Sequence, residues 1–314
     1  MYYTAADVIE YLLTTTGGGA QDSEHRALRA AVHHGYRDVM NARDWLWHVS
    51  EGYVEMQAGV VRYDLPADVK SIDTLAPQDR TSLTAYITPT EWKRLEVSGL
   101  TFGQPVYWTV MRDVDATAFD RWEIRIAGMP RAGERLYFTY RRQPTPITLM
   151  GYEMPCRSGT VTTNGTTTAV VGTDTAFPAC GGAVIRFGTQ DALPEGLAGI
   201  NPYKEQHRIV SRSSDTGLVL QSTPSAFTDV RYMISNLLDM SQPMYTALLT
   251  GAEMWLARLT GKSIESAVAM YERDLRLAFE ADVVAPLSGQ RTNVTAPSPR
   301  LAGWASPSQP DTGG

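Results

Sequence analysis

Five histidines, two cysteines and many scattered carboxylates are the side chains with which this sequence could do chemistry. A zinc site on a helix needs histidines a full turn apart on one face. His25, His33, His34, His48 and His207 do not supply that spacing, and the adjacent His33 and His34 point to different faces of one predicted helix. Surface or interface positions are the expectation for them. Asp113 and Asp115 could pair on a metal, but they fall between two predicted strands, where acidic residues commonly serve turns. Cys156 and Cys180 have no histidine at ligand spacing. A bridge between them is open, with a reduced apolar pair the expectation in cytoplasm. No Gly-x-Ser-x-Gly elbow, phosphate loop or dinucleotide fingerprint occurs. The carboxylates leave a glycosidase pair open, and nothing selects one. No metal, cofactor or enzymatic activity is assigned.

With no reactive constellation, attention moves to the elements that position the large side chains. Residues 41–75 are the most informative stretch. They hold a helix end with Trp45 and Trp47, a candidate hairpin (Val49 to Met56, then Val60 to Leu65, around Gln57, Ala58 and Gly59) and the phrase Tyr63, Asp64, Leu65, Pro66. The hydrophobic period changes there from about 3.6 to 2. We read Trp45, Trp47, Tyr63, Leu65 and Pro66 as a hinge where aromatic rings fill the wedge between a helical layer and a sheet.

Upstream, Thr4 with Asp7 opens a first helix with apolar positions Val8, Ile9, Leu12 and Leu13. Gly17, Gly18 and Gly19 read as a linker to a second helix, capped by Asp22 or Ser23 and running to Arg43. Downstream, strands are expected at Val69 to Leu75, Leu83 to Ile87, Pro105 to Met111, Trp122 to Ala127 and Arg135 to Arg141. Thr88, Pro89 and Glu91 predict a short capped helix among them. Near Gly151 the composition turns Thr- and Gly-rich, with Asn164 and Gly165 as a hairpin signal. Short strands recur at Ala183 to Phe187, His207 to Ser211, Gly217 to Leu220 and Tyr232 to Ser235, the pattern of a small barrel or sandwich. Helical periodicity returns at Ser241 and again at Ser263.

The fold class is therefore α+β. A helical bundle formed by the N- and C-terminal helices (1–48 and 239–284) carries an antiparallel β domain (49–150) and an inserted all-β module (151–238). Residues 285–314 hold five prolines among small polar residues and cannot support a core. Leu301 and Trp304 are the exceptions, and such a Trp acts as a docking anchor.

Net charge is −6 with the basic residues scattered, so no phosphate-gripping stripe is present. No apolar run reaches the length of about 18 residues a membrane span needs. Synthesis in cytoplasm, without a signal peptide, is the expectation.

The ordered phrases Arg43-Asp44-Trp45-Leu46-Trp47, Val61-Arg62-Tyr63-Asp64-Leu65-Pro66-Ala67-Asp68, Thr88-Pro89-Thr90-Glu91-Trp92 and Gly103-Gln104-Pro105-Val106-Tyr107-Trp108 carry a resemblance. Together they resemble the head-to-tail adaptors of short-tailed bacteriophages, the tail tubular protein A group. Residues 1–150 and 240–282 carry the match. The β module is similar to small modules of phage tail and virion proteins, and departs from the simplest adaptors.

The resemblance implies a structural virion protein at the head-tail junction. It would form a homo-oligomeric ring of twelve subunits beneath the portal protein, with its C-terminal tail reaching into the portal. Tail nozzle or other tail proteins would bind the opposite face, and double-stranded DNA would pass through the lumen without specific binding. The rival reading is a tail-associated carbohydrate-binding or cell-wall-degrading component.

Overall fold

The computed structural model describes residues 2–16, 22–77, 84–99, 106–112, 122–128, 133–196 and 199–283. Gly17 to Gly19, Leu83, Gly103 to Pro105, Asp113, Asp115, Leu301 and Trp304, all singled out above, lie outside these residues. The chain is a mixed α+β protein with helices α1 (Ala5–Thr16), α2 (Asp22–Asn41), α3 (Pro89–Ser98), α4 (Met154–Arg157), α5 (Gln242–Leu259) and α6 (Glu265–Val283). A 3-10 turn, Leu46–His48, follows α2, which ends two residues before the expected Arg43.

The helical stripes are local in origin. In α1 the Asp7 carboxylate accepts both the backbone N–H and the hydroxyl of Thr4 at 2.9 Å, and Ala5, Val8, Ile9 and Leu12 form the buried face. Leu28, Val32, Tyr36 and Val39 of α2 share one apolar cluster with that face and with Ala247, Leu248 and Ala252 of α5 and Ala278 of α6. Backbone contact between α2 and α5 requires a glycine. A Cβ added at Gly35 would lie 2.9 Å from the Ala252 nitrogen, so the two helices would have to part. The gain in helix propensity from Gly35→Ala is about 1 kcal/mol and overpacking costs about 1–3 kcal/mol. We expect a net loss of up to about 2 kcal/mol for that variant in urea unfolding; a gain in stability would mean that the helices are free to separate.

Residues 49–142 hold two sheets where the sequence suggested one. The first has order β1-β7-β3 (Val49–Glu55, Arg135–Arg142, Val69–Pro77), and the second β2-β6-β5-β4 (Arg62–Asp64, Trp122–Ala127, Tyr107–Arg112, Ala85–Tyr86). Pairing is antiparallel except between β4 and β5. The expected hairpin of β1 with β2 is corrected: β1 pairs with β7 from Val49 opposite Arg141 to Glu55 opposite Arg135, and β2 pairs with β6. Gly59, at φ +77°, turns the chain from one sheet into the other. The Tyr63 hydroxyl then fastens the loop to β2, accepting from the Gln57 N–H and donating to the Val60 carbonyl. Alternation marked both strands correctly, but their partners lie some 60 to 90 residues away. Both sheets bury Met56, Leu65, Val69, Leu75, Trp108, Ile124 and Phe138 in one cluster. Helix α3 carries the expected reciprocal box, Thr88 N–H to Glu91 at 2.8 Å and Glu91 N–H to Thr88 at 3.3 Å.

The remaining strands, β8 (Thr160–Asn164), β9 (Ala169–Thr173), β10 (Val184–Phe187), β11 (Glu205–Ser214), β12 (Gly217–Leu220), β13 (Ala226–Val230) and β14 (Tyr232–Ser235), make one sheet of order β13-β8-β9-β12-β11-β10-β14. Its two outer strands are joined by Arg231 alone, so the sheet must curl toward closure as a half-barrel. The Asn164 side chain accepts the N–H groups of Thr166 and Thr167 to close the first hairpin. Arg186 on β10, 2 % exposed, makes a bidentate pair with Asp7 of α1 at 2.6 and 2.8 Å, which ties the curled sheet to the helices.

Cys156 and Cys180 are free thiols in the core of this sheet. Burial pushes Cys156 up to about 12 and Cys180 up to about 11. Because the folded pKa values exceed the unfolded ones, their contribution to stability is complete below the usual thiol range near pH 9 and is lost as the pH rises from there toward 11–12. Native protein at pH 8 should therefore leave a thiol-specific chromogen unreacted until denaturant is added. Rapid native labelling would refute the burial. Among the described residues, no helix is long and apolar enough to cross a membrane.

Candidate assembly junction

The segment between α2 and β1 is where the helices, the first sheet and the C-terminal end of α6 meet. Trp45 is 1 % exposed; its indole N–H donates to the Val39 carbonyl at 2.8 Å and its ring leans on Phe279 at 5.3 Å between centroids. The Arg43 guanidinium lies over both rings, at 6.0 and 5.5 Å, and donates to the Phe279 carbonyl. One residue further, the Leu46 N–H donates to the Asp282 carboxylate at 3.1 Å. The last turn of α6 is thereby clasped to the chain crossing.

Asp239, just before α5, is the second clasp. Its carboxylate takes the Trp47 indole N–H at 3.2 Å and pairs with Arg142 of β7 at 3.2 Å, while its carbonyl lies 3.1 Å from the buried His48 ring. On the sheet side, Arg141 donates to the Asp44 carbonyl at 3.0 Å and pairs with Asp73 of β3, and Lys70 pairs with Asp44 at 3.2 Å. The four cations and Asp44 line a pocket of about 10 Å³, room for roughly a single solvent molecule, while Asp73, Asp239 and Asp282 pair with the cations from outside it. The charge pairs tie α2, the first sheet and the end of α6 to the crossing chain.

Sequence reasoning placed five residues in one hinge, and the structure separates them. Trp45 belongs to the helical cluster, whereas Leu65 is buried in the β cluster. Tyr63 is half-buried on the turn into β2, and Pro66 is exposed. Trp47, expected to fill the wedge, is 50 % exposed because the 3-10 turn rotates it away from Trp45. The residues that do close the junction, Arg43, His48, Arg142, Asp239 and Asp282, carry no local signal, since their partners are distant in sequence.

A second feature opens between the two sheets. A largely apolar groove of about 380 Å³ is walled by Leu65, Val69, Ile72 and Val110 and by the rings of Tyr86, Trp108 and Trp122, with Lys70 and Asp73 also on its lining. Its two ionic neighbours, Lys70 and Asp73, are already paired with Asp44 and Arg141.

No family model matches the chain, and no curated protein matches it in sequence.

The junction and the groove are accordingly read from their own geometry. Among the described residues no group of three or more His, Cys, Asp and Glu side chains could hold a metal ion. His207 lies 2.9 Å from the Ser222 hydroxyl and 3.0 Å from the Glu205 carboxylate. These are residue types that serve acyl transfer in other settings. Here Glu205 also takes the N–H and hydroxyl of Ser225, so the trio staples β11 to the loop before β13. His34 stacks on Trp255 at 4.5 Å, and burial together with Arg29 pulls the His33 imidazole below its ordinary range.

Proposed function

We propose that the chain is a structural adaptor of a short-tailed bacteriophage virion, a ring-forming protein that joins the capsid portal to the tail and lets the genome pass. The observation that carries this reading is the shared burial of α1 and α2 with α5 and α6, helices from opposite ends of the chain. In the proposed arrangement these four form a bundle, and both β parts are excursions from it. That is the organisation implied by the ordered phrases around Trp45, Tyr63 and Trp92.

Three further observations support it. The junction is braced by charge pairs from three directions, as a subunit needs if a heterologous contact is to repeat at a constant angle and close a ring. Met270 and Leu277 of α6, one heptad apart, are also exposed and apolar, a surface suited to a neighbouring subunit. The net charge of −6 suits a lumen that passes DNA without holding it. In this reading residues 285–314 enter the portal, anchored by Leu301 and Trp304, and twelve subunits complete the ring.

Mixing the purified chain with portal protein should give a particle whose mass corresponds to a ring of adaptors on the portal, visible as such in negative stain. Removal of residues 285–314 should abolish that complex. A chain that stays monomeric beside its portal would overturn the reading, and undiminished binding without the tail would remove the tail from the mechanism.

A further inference from the structure

We infer that the groove between the two sheets is the seat of the chain's own C-terminal segment, residues 297–307, held there before any partner is met. The groove presents three aromatic rings together with aliphatic side chains. Tyr86 is 53 % and Trp122 41 % exposed, and both line the groove. Tyr86 stands edge-on to Trp108 at 5.0 Å, and the Trp108 indole N–H already donates to the Thr84 carbonyl at 3.2 Å. Among the described residues, the two charged groups of the walls, Lys70 and Asp73, are paired elsewhere and leave no free charge for a phosphate or an acidic peptide. Aromatic-lined, largely apolar grooves suit proline-rich segments in the polyproline II conformation, which lose little entropy on docking.

The chain itself carries such a segment. Beyond Val283 it holds Pro286, Pro297, Pro299, Pro307 and Pro310, only three charged residues, and, among its proline-flanked residues 297–307, the large apolar side chains Leu301 and Trp304. Its point of departure is also correct. Asp282 is clasped to Leu46, two residues from Asp44, and the Lys70 that pairs with Asp44 lines the groove. At about 3.1 Å per residue, the eighteen residues from Val283 to Leu301 span roughly 55 Å, ample for the path. Tethering sets a local concentration in the millimolar range, so a contact too weak to hold a free peptide would still be filled. The groove would then keep Leu301 and Trp304 out of water until a stronger site competes for them. This inference does not depend on the identity of that site.

The test uses the full chain with Ser306→Cys carrying a nitroxide, the buried Cys156 and Cys180 being shielded from the label. In isotope-labelled protein we expect loss of most of the signal intensity of the Trp122 indole N–H and the Tyr86 amide. The loss should persist on dilution with unlabelled chain and disappear when Trp304→Ala is added. Unbroadened groove signals would overturn the inference, as would broadening confined to the helices. Broadening that vanishes on dilution would assign the groove to the tail of a second copy and overturn the intramolecular seat. A Trp122→Ala chain that keeps Tyr86 broadened would show that the ring plays no part, which also counts against it.

Discussion

Trp45→Ala should lower the unfolding free energy by about 3–5 kcal/mol, the range for deleting a fully buried Trp side chain, while Trp47→Ala should cost about 1 kcal/mol or less. The contrast follows from placement. The Trp45 ring fills the space between α2, α6 and the crossing chain, and its removal leaves a cavity and takes the indole donor from the Val39 carbonyl, which keeps the Ala42 N–H. Trp47 is half in solvent, where its loss forfeits one hydrogen bond to Asp239 that water can replace. Urea unfolding of the two variants, followed by far-UV circular dichroism, decides the matter. Equal losses at the two positions would mean that the 3-10 turn does not separate the rings as described. A larger loss at Trp47 would transfer the hinge to the outer ring.

The second large effect is expected at Asp7. In Asp7→Ala the Arg186 guanidinium, 2 % exposed, loses its bidentate partner and is left with Gln206, the Tyr203 ring and the less direct influence of the Glu10 charge. Removing one partner of a buried ion pair typically costs about 3–5 kcal/mol, because the other charge stays desolvated. Replacing both, as Asp7→Ala with Arg186→Met, removes the uncompensated charge and should recover part of that loss. The single variant also deprives Thr4 of its cap acceptor, which sets a floor of about 1 kcal/mol on what the double variant cannot restore. Additive losses in a double-mutant cycle would show that the pair is not coupled, and the link between the curled sheet and α1 would then rest on other contacts. The Ala6 N–H donating to the Ser235 hydroxyl at 3.0 Å is one such contact.

These two sites illustrate where the sequence was legible and where it was not. Helix α3 could be read from Thr88, Pro89 and Glu91 because a capping box is complete within four residues. The turn at Asn164 was equally local, since one side chain closes it. Trp45 and Trp47 were not separable by pattern. Two positions apart, they differ only through the turn that Leu46–His48 adopts once Asp282 and Asp239 have clasped it. Strand β13 escaped notice because Asp229, at φ +50°, interrupts its alternation with a register shift.

By itself, then, the sequence determined the character of each element: amphipathic stripes at both ends of the chain, short alternating strands between them, a capped helix at Thr88, and sparsely charged proline-rich residues after Val283. Each is set by a period or a cap spanning a few residues, where local sterics and hydrogen bonding suffice. Tertiary structure alone decided the partners. It sent β1 to β7 and β2 to β6, seated Arg186 against Asp7, and joined Arg43, Asp239 and Asp282 around the crossing at Trp45. Those choices come from closing loops of tens to hundreds of residues to bury shared apolar surface and pair charges, a global balance that no local window contains.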